Sequence, residues 1–344
     1  MDLWHASPPP IRHGGVTAAA GISAATTATK QVGQAGGRPP PMATPSSHRH
    51  RKPPPQPTEG SDGGEQVEET RDWAELPWDA LLAVLRRLDH AGVLMGAGQA
   101  CRPWRRAARD EPELWRRVDM RPLARLDSDV DLRAVARAAV SRSAGRCEAF
   151  WARGVADDEF LFFLADAAPG LKSLRLIDCD DISTHRIHQA IRRFPLLEEL
   201  ELSLGLGTCS VGLDGVGDAC PLLTRLRLSR DCFHLRRGAD DGEATAIAGM
   251  RGLRSLQLFG NRLGNAGLAA ILDGCARLDS LDIRHCFNVK VDDDDGMGRR
   301  CGRIRTLRLP RDSTEDYDIE FGNPDMELEQ DREYSWAVSY PEYL

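Results

Sequence analysis

The sequence predicts an α/β solenoid in which short parallel strands alternate with helices along one coil after another. Two observations carry this. Six near copies of one nine-residue spacing, beginning at Leu171, Leu197, Leu223, Leu253, Leu278 and Ile304, place aliphatic residues at the first, fourth and sixth positions, as in LRSLQLFGN from Leu253. Their starts lie 26, 26, 30, 25 and 26 residues apart, the length of one small supersecondary unit per repeat. Between the copies, apolar residues recur at helical spacing: Ile187, Ile191 and Phe194 in THRIHQAIRRF, and Leu268, Ile271 and Cys275 in NAGLAAILDGC. Each coil therefore reads as a strand on a concave side and a helix on a convex side.

Taken from the amino terminus, the chain divides into four parts. Residues 1–70 hold eleven of the 21 prolines, with PPP runs at Pro8, Pro39 and Pro53, and too few large apolar side chains to offset the entropy of ordering. This arm is expected to be disordered. Its HRHRK cluster, His48 to Lys52, suits a basic localisation address better than a metal site, because two histidines on a Pro-rich arm lack the remaining ligands of a closed site.

Residues 71–118 have a different texture. Leu81, Leu82, Leu85 and Leu88 recur at helical spacing after Leu76-Pro77, where proline suits a first turn and Asp79 suits its positive end. A second apolar cluster follows at Val93 to Met95, then a third helix around Trp104 to Ala108, closed by Pro112 and Leu114-Trp115. Three short helices bury little surface alone, so part of this apolar surface is expected to need another one. Gly96 and Gly98 interrupt the middle stretch, and each costs a helix interior up to about 1 kcal/mol relative to alanine.

Residues 119–310 carry the repeats. Two weaker copies, WRRVDM from Trp115 and CEAFWA from Cys147, extend the series upstream, so the helices are expected to run into the first coil through a rigid junction. Alternation along a strand turns every second side chain outward. The outward set is Ser173, Arg175, Ile177; Glu199, Glu201, Ser203; Arg225, Arg227, Ser229; Ser255, Gln257, Phe259; Ser280, Asp282, Arg284; Thr306 and Arg308. Opposite charges stand on neighbouring strands, so the arginines either pair with Glu199 and Glu201 or remain available for a carboxylate-rich or phosphorylated segment. Phe259 is the apolar anchor of this face. The ninth positions hold Cys179, Gly205, Asp231, Asn261 and Cys286, of which Asn and Cys suit a side chain that satisfies turn backbone groups inside the coil.

Residues 311–344 form an acidic tail, with eleven Asp or Glu against two Arg. That sum of -9 exceeds the net charge of -7 for the whole chain, which leaves the rest at +2. Such a run is expected to be flexible, with Tyr317, Phe321, Tyr334 and Trp336 offering contacts by which part of it packs or is bound.

Composition narrows the function. A near-neutral body with an acidic tail argues against nucleic acid as the main partner. No apolar run approaches the length of about 18 residues that a membrane span needs, and no secretory signal is legible, although the Ala/Thr-rich start leaves a transit-peptide alternative. A cytoplasmic or nuclear setting is expected. It also suits nine cysteines without a Cys-x-x-Cys pair, several of which occupy repeat core positions. DDDDG, Asp292 to Gly296, lacks the spaced oxygen ligands of a calcium loop. No phosphate loop, nucleophile elbow or paired His/Glu motif is present, so no cofactor, metal site or catalytic residue is expected.

The residues of the helical segment, taken in order, resemble the F-box: Leu76-Pro77, the aliphatic Leu82, Val84, Leu85 and Leu88, Val93-Leu94, Cys101 with Trp104, and Leu114-Trp115. With the repeats behind it, Trp73 to Pro310 is similar to plant F-box/leucine-rich-repeat proteins. The resemblance implies docking to a Skp-family adaptor, and through it to a cullin and a RING protein, in an SCF ubiquitin ligase whose non-catalytic task is to hold a target protein. It places Leu76, Pro77, Leu81, Leu82, Leu85, Val93, Leu94 and Trp104 on the adaptor side. The target side would be drawn from Arg175, Glu199, Glu201, Arg225, Arg227, Gln257, Phe259, Asp282, Arg284 and Arg308. Gly96 and Gly98 depart from the family pattern and would weaken adaptor docking. The alternatives are a repeat scaffold or inhibitor outside any ligase, helices that only cap the solenoid, and a small-ligand receptor, for which so short an arc is poorly suited.

Overall fold

The computed structural model describes residues 72–125, 130–204, 212–230, 238–291 and 296–317. The Pro-rich arm, most of the DDDDG insertion and the tail beyond Tyr317 lie outside the described residues.

The described residues open with a 3-10 turn, Trp73–Glu75, and helix α1, Trp78–Leu85, starts directly after Pro77. A π-helical stretch, Gly92–Ala97, continues as α2, Gly98–Ala100, and α3, Arg102–Asp110, follows with proline in its first turn. A short 3-10 turn, Pro112–Trp115, leads into strand β1, Arg117–Asp119. Gly98 is what the middle stretch requires. Its N–H reaches Val93 O, and a Cβ on it would stand 2.6 Å from that same oxygen. The glycine expected to weaken a helix is thus the residue that lets this turn close.

From β1 the coils repeat. The strands are β2 (Ala149–Arg153), β3 (Ser173–Ile177), β4 (Glu199–Ser203), β5 (Arg225–Ser229), β6 (Ser255–Phe259), β7 (Ser280–Asp282) and β8 (Thr306–Arg308). All eight pair in parallel and in sequence order, each with the next. Helices α4 (Leu132–Arg142), α5 (Asp158–Ala167), α6 (Thr184–Ile191), α7 (Val216–Ala219), α8 (Gly242–Ala248), α9 (Asn265–Gly274) and α10 (Met297–Cys301) supply the crossovers. The predicted solenoid is therefore observed, with helices down to a single turn in its shorter coils.

A shared backbone device turns the chain after the strands. Gly154, Asp178, Leu204, Gly260 and His285 all take positive φ, and each stands at the eighth position of its repeat. At a non-glycine residue that conformation costs on the order of 1 kcal/mol or more, so surrounding packing must hold Leu204 in place. At the ninth position, Asn261 Oδ1 accepts from Leu263 N–H at 2.9 Å while its Nδ2 donates to Glu243 at 2.8 Å. Cys179 and Cys286 fill the same place with thiols directed at the carbonyls of Ile177 and Leu258.

One apolar cluster runs from Leu81 in α1 to Ile304 before β8, so helices and coils share a core. Trp115 sits at their junction, fully buried, with its indole N–H donating to Ala108 O at 2.8 Å. Beside it, His90 Nδ1 accepts from Asp119 N–H at 3.3 Å and Nε2 lies 3.2 Å from Leu114 O. That pair of contacts fixes a neutral ring with its proton on Nε2. Burial holds the His90 pKa below its ordinary value, against the raising influence of the Leu114 carbonyl.

Candidate functional site

Two surfaces concentrate features beyond folding. The first lies on the helical segment. Its leucine stripe points inward: Leu81, Leu82, Leu85, Val93 and Leu94 are all buried and cluster with Ala107, Ala108 and Trp115. What faces solvent is a second apolar set. Of the six large apolar side chains exposed among the described residues, four belong here: Trp73, Trp78, Leu88 and Met95, between 40% and 61% exposed. Leu88 leaves the stripe because α1 ends at Leu85. Trp104 is half-buried and donates from Nε1 to Trp73 O at 2.8 Å, which ties the entry segment to α3.

The second surface is the sheet face that carries the outward positions. Strand register aligns them into rows, the central one reading Asp119, Trp151, Arg175, Glu201, Arg227, Gln257, Asp282 and Arg308 from β1 to β8. Glu201, 1% exposed, lies between two buried guanidiniums, 3.6 Å from Arg175 and 3.4 Å from Arg227, and accepts from Ser203 Oγ at 3.0 Å. Arg175 also stands over the Trp151 ring at 4.7 Å. Its pKa is lowered, burial outweighing the support of Glu201 and Glu199. In the neighbouring row Arg225 pairs with Glu199, which also accepts from Ser173 Oγ at 3.1 Å. Gln257 donates to Asp282 at 3.0 Å, and Arg284 pairs with the same carboxylate at 2.7 Å.

The carboxy-terminal segment folds back onto this face. Arg284 donates to Ser313 O at 2.7 Å and pairs with Asp316, which Arg308 also reaches at 3.2 Å. Tyr317 lies against Phe259 with ring centroids 4.5 Å apart, and its hydroxyl is 2.8 Å from Ser229 Oγ. The start of the acidic tail is therefore packed through Tyr317, one of the aromatic residues expected to let part of an otherwise flexible run pack.

Comparison with known proteins then fixes the family. Residues 73–121 match the F-box-like family model. The chain is 38% identical to the Arabidopsis thaliana F-box protein SKIP19 over 74% of this chain and 82% of that protein. It is likewise 38% identical to Putative F-box/LRR-repeat protein 22 of Arabidopsis thaliana, over 80% of this chain and 91% of that one. The chain belongs to the F-box/LRR-repeat proteins. Putative F-box/LRR-repeat protein 23 from the same plant is 39% identical over 71% of this chain, which spans only about half, 54%, of that longer protein.

Within the F-box, the residues assigned from sequence to a partner divide sharply. Leu81, Leu82, Leu85, Val93 and Leu94 belong to the chain's own core, because α1 and the π-helical stretch turn them toward α3 and Trp115. Their side chains are buried within the chain itself. Leu76 and Trp104 are half-buried against that core, and Pro77 is exposed. Sequence reasoning passed over Trp73 and Trp78, whose signal was two tryptophans beside Leu76-Pro77 at a helix start, where burial by a following turn is incomplete.

On the LRR face, Arg175, Glu199, Glu201, Arg227, Phe259 and Arg284 are buried by mutual pairing or by the tail, Arg225 and Asp282 are mostly covered, and Arg308 remains half-open. The pairing alternative weighed for these charges is the arrangement observed. The repeat cysteines are structural: burial pushes the Cys220 and Cys275 thiols up to about 11 and Cys147 and Cys286 to about 12, far from reactive thiolate.

Proposed function

We propose that the chain is the target-binding subunit of an SCF-type ubiquitin ligase, its F-box docked on a Skp-family adaptor that leads to a cullin and a RING protein, and its LRR face holding the protein to be modified. The observation that carries this reading is the solvent-facing apolar set of the F-box, Trp73, Trp78, Leu88 and Met95, left over after its leucines have filled the core. Exposed apolar side chains gathered on one small module mark a surface built to be covered. On this reading the protein makes no bond itself. It raises the effective concentration of a target lysine near a charged conjugating enzyme.

The experiment is titration of the full chain with a purified Skp-family adaptor. Trp78→Ala and Leu88→Asp change exposed residues, so folding and melting should match the parent. A central anchor is worth about 2 kcal/mol or more, a rise in Kd of roughly 30-fold. Parent-like binding by both variants would remove this surface from the reading. No binding by the parent chain to any Skp-family adaptor would instead favour the LRR scaffold outside a ligase.

A further inference from the structure

The side chain of Tyr317 sits in a built pocket. Ile177 and Leu204 line it from β3 and the turn after β4, Phe259 meets the ring from β6, and Ser229 holds the hydroxyl from β5. Two guanidiniums face the ring, Arg227 at 4.7 Å and Arg284 at 5.0 Å from its centroid. Leu204 reaches its place through the left-handed backbone, φ 57°, that the repeats share after their strands. Just outside, Arg284 and Arg308 converge on the Asp316 carboxylate.

Each feature selects chemistry. A planar ring between a phenylalanine and cationic planes is favoured over an aliphatic chain, because the ring's negative face meets positive charge on one side and an apolar surface on the other. A carboxylate directly before it meets two guanidiniums. The pocket spans four successive strands of the face available for recognition, and its occupant belongs to the segment that follows the last coil rather than to the repeats.

We propose that this pocket is a receptor for acidic peptide segments in which a carboxylate residue directly precedes an aromatic one, with Asp316-Tyr317 as the resident copy that an incoming target segment displaces. The claim that such a segment marks a ligase target rests on the function proposed above. The binding itself does not. A tethered occupant has an effective concentration of about millimolar, so only a segment of better fit, or one presented at high local concentration, replaces it.

The test uses the full chain and a fluorescein-labelled peptide of sequence DSTEDYDIE, residues 312–320, read by anisotropy. Tyr317→Ala empties the pocket. Asp316→Lys opens it separately, by charge reversal at a residue that is about half exposed and outside the core. Both opened chains should bind the peptide at least tenfold more tightly than the parent chain. A peptide with its tyrosine changed to alanine should lose binding, and one with asparagine for the preceding aspartate should bind several-fold more weakly. Equal affinity of all three chains, absence of binding by an opened chain with parent-like circular dichroism, or equal binding of the tyrosine-free peptide would overturn the proposal. Adaptor titration of the same variants separates the two readings, since a failed pocket leaves F-box docking intact.

Discussion

Replacing Glu201 with glutamine tests whether the sheet face is held by buried charge. The substitution keeps shape and volume while it removes a carboxylate that stands between Arg175 and Arg227, both of them buried. An isolated pair at the surface is worth at most about 1 kcal/mol, but breaking a buried one costs about 3–5 kcal/mol, because the remaining charge stays desolvated. Here two guanidiniums would remain. The aromatic planes of Trp151 and Tyr317 lie over them and offset only part of that loss. The expected cost is therefore near the lower end, about 3 kcal/mol. Urea is the denaturant of choice, since guanidinium chloride would screen the charges under study. With a slope of about 2 kcal/mol per molar, the midpoint should fall by roughly 1.5 M. A midpoint within about 0.3 M of the parent, at unchanged slope, would show that water already solvates this row and that its buried pairing contributes little.

Two other perturbations address the F-box and its junction. Gly98→Ala drives a Cβ to 2.6 Å from Val93 O and should destabilise the chain by about 1–3 kcal/mol in the same urea assay, whereas Gly96→Ala, with nothing within 4 Å, should be neutral or stabilising by up to about 1 kcal/mol; equal effects would refute the close approach. His90 and His285 both have pKa values lowered by burial, so the unfolded chain binds more protons as pH falls below the ordinary histidine value of about 6.5. The stability they contribute is complete above that value and is lost as pH falls toward their folded-state pKa values. Urea midpoints measured from pH 7.5 to 5 should therefore decline, and His90→Gln should flatten the decline; an unchanged slope in that variant would clear His90.

The repeats were legible because their signal is local. Leucines at the first, fourth and sixth positions both space the coils and fix strand polarity, so the outward set could be read to the residue: Glu201 does pair in register with Arg175 and Arg227. What one strand's sequence lacks is knowledge of what covers it. Asp282 and Asp316 meet on Arg284 across 34 residues of chain, and Tyr317 reaches Phe259 across 58, contacts with no periodic trace. The F-box leucines were ambiguous for another reason. Helical spacing identified Leu81, Leu82 and Leu85 as one apolar stripe, but an apolar stripe serves an internal core and an external partner equally well, and only the packing of α3 and Trp115 decides between them. The exposed Trp78 lies on that same helix, distinguished by its place at the first turn rather than by its period.

The junction gives these two surfaces a common frame. Had the F-box been joined to the coils by a linker, a target on the LRR face would sample many distances from whatever the F-box holds, and the gain in effective concentration would be spread over all of them. Instead the last turn of the F-box supplies Trp115 to a continuous core, and His90 closes the backbone of Leu114 to that of Asp119 in β1. Bending there would expose an indole and leave buried polar groups unpaired, at about 1–3 kcal/mol for each such group. The pocket around Tyr317 is two to five strands further along the same sheet, each strand hydrogen-bonded to the next. A target seated there would be presented at a distance set by coil number, so inserting or deleting one repeat between β1 and β3 should change which target lysines are modified while leaving both binding affinities intact.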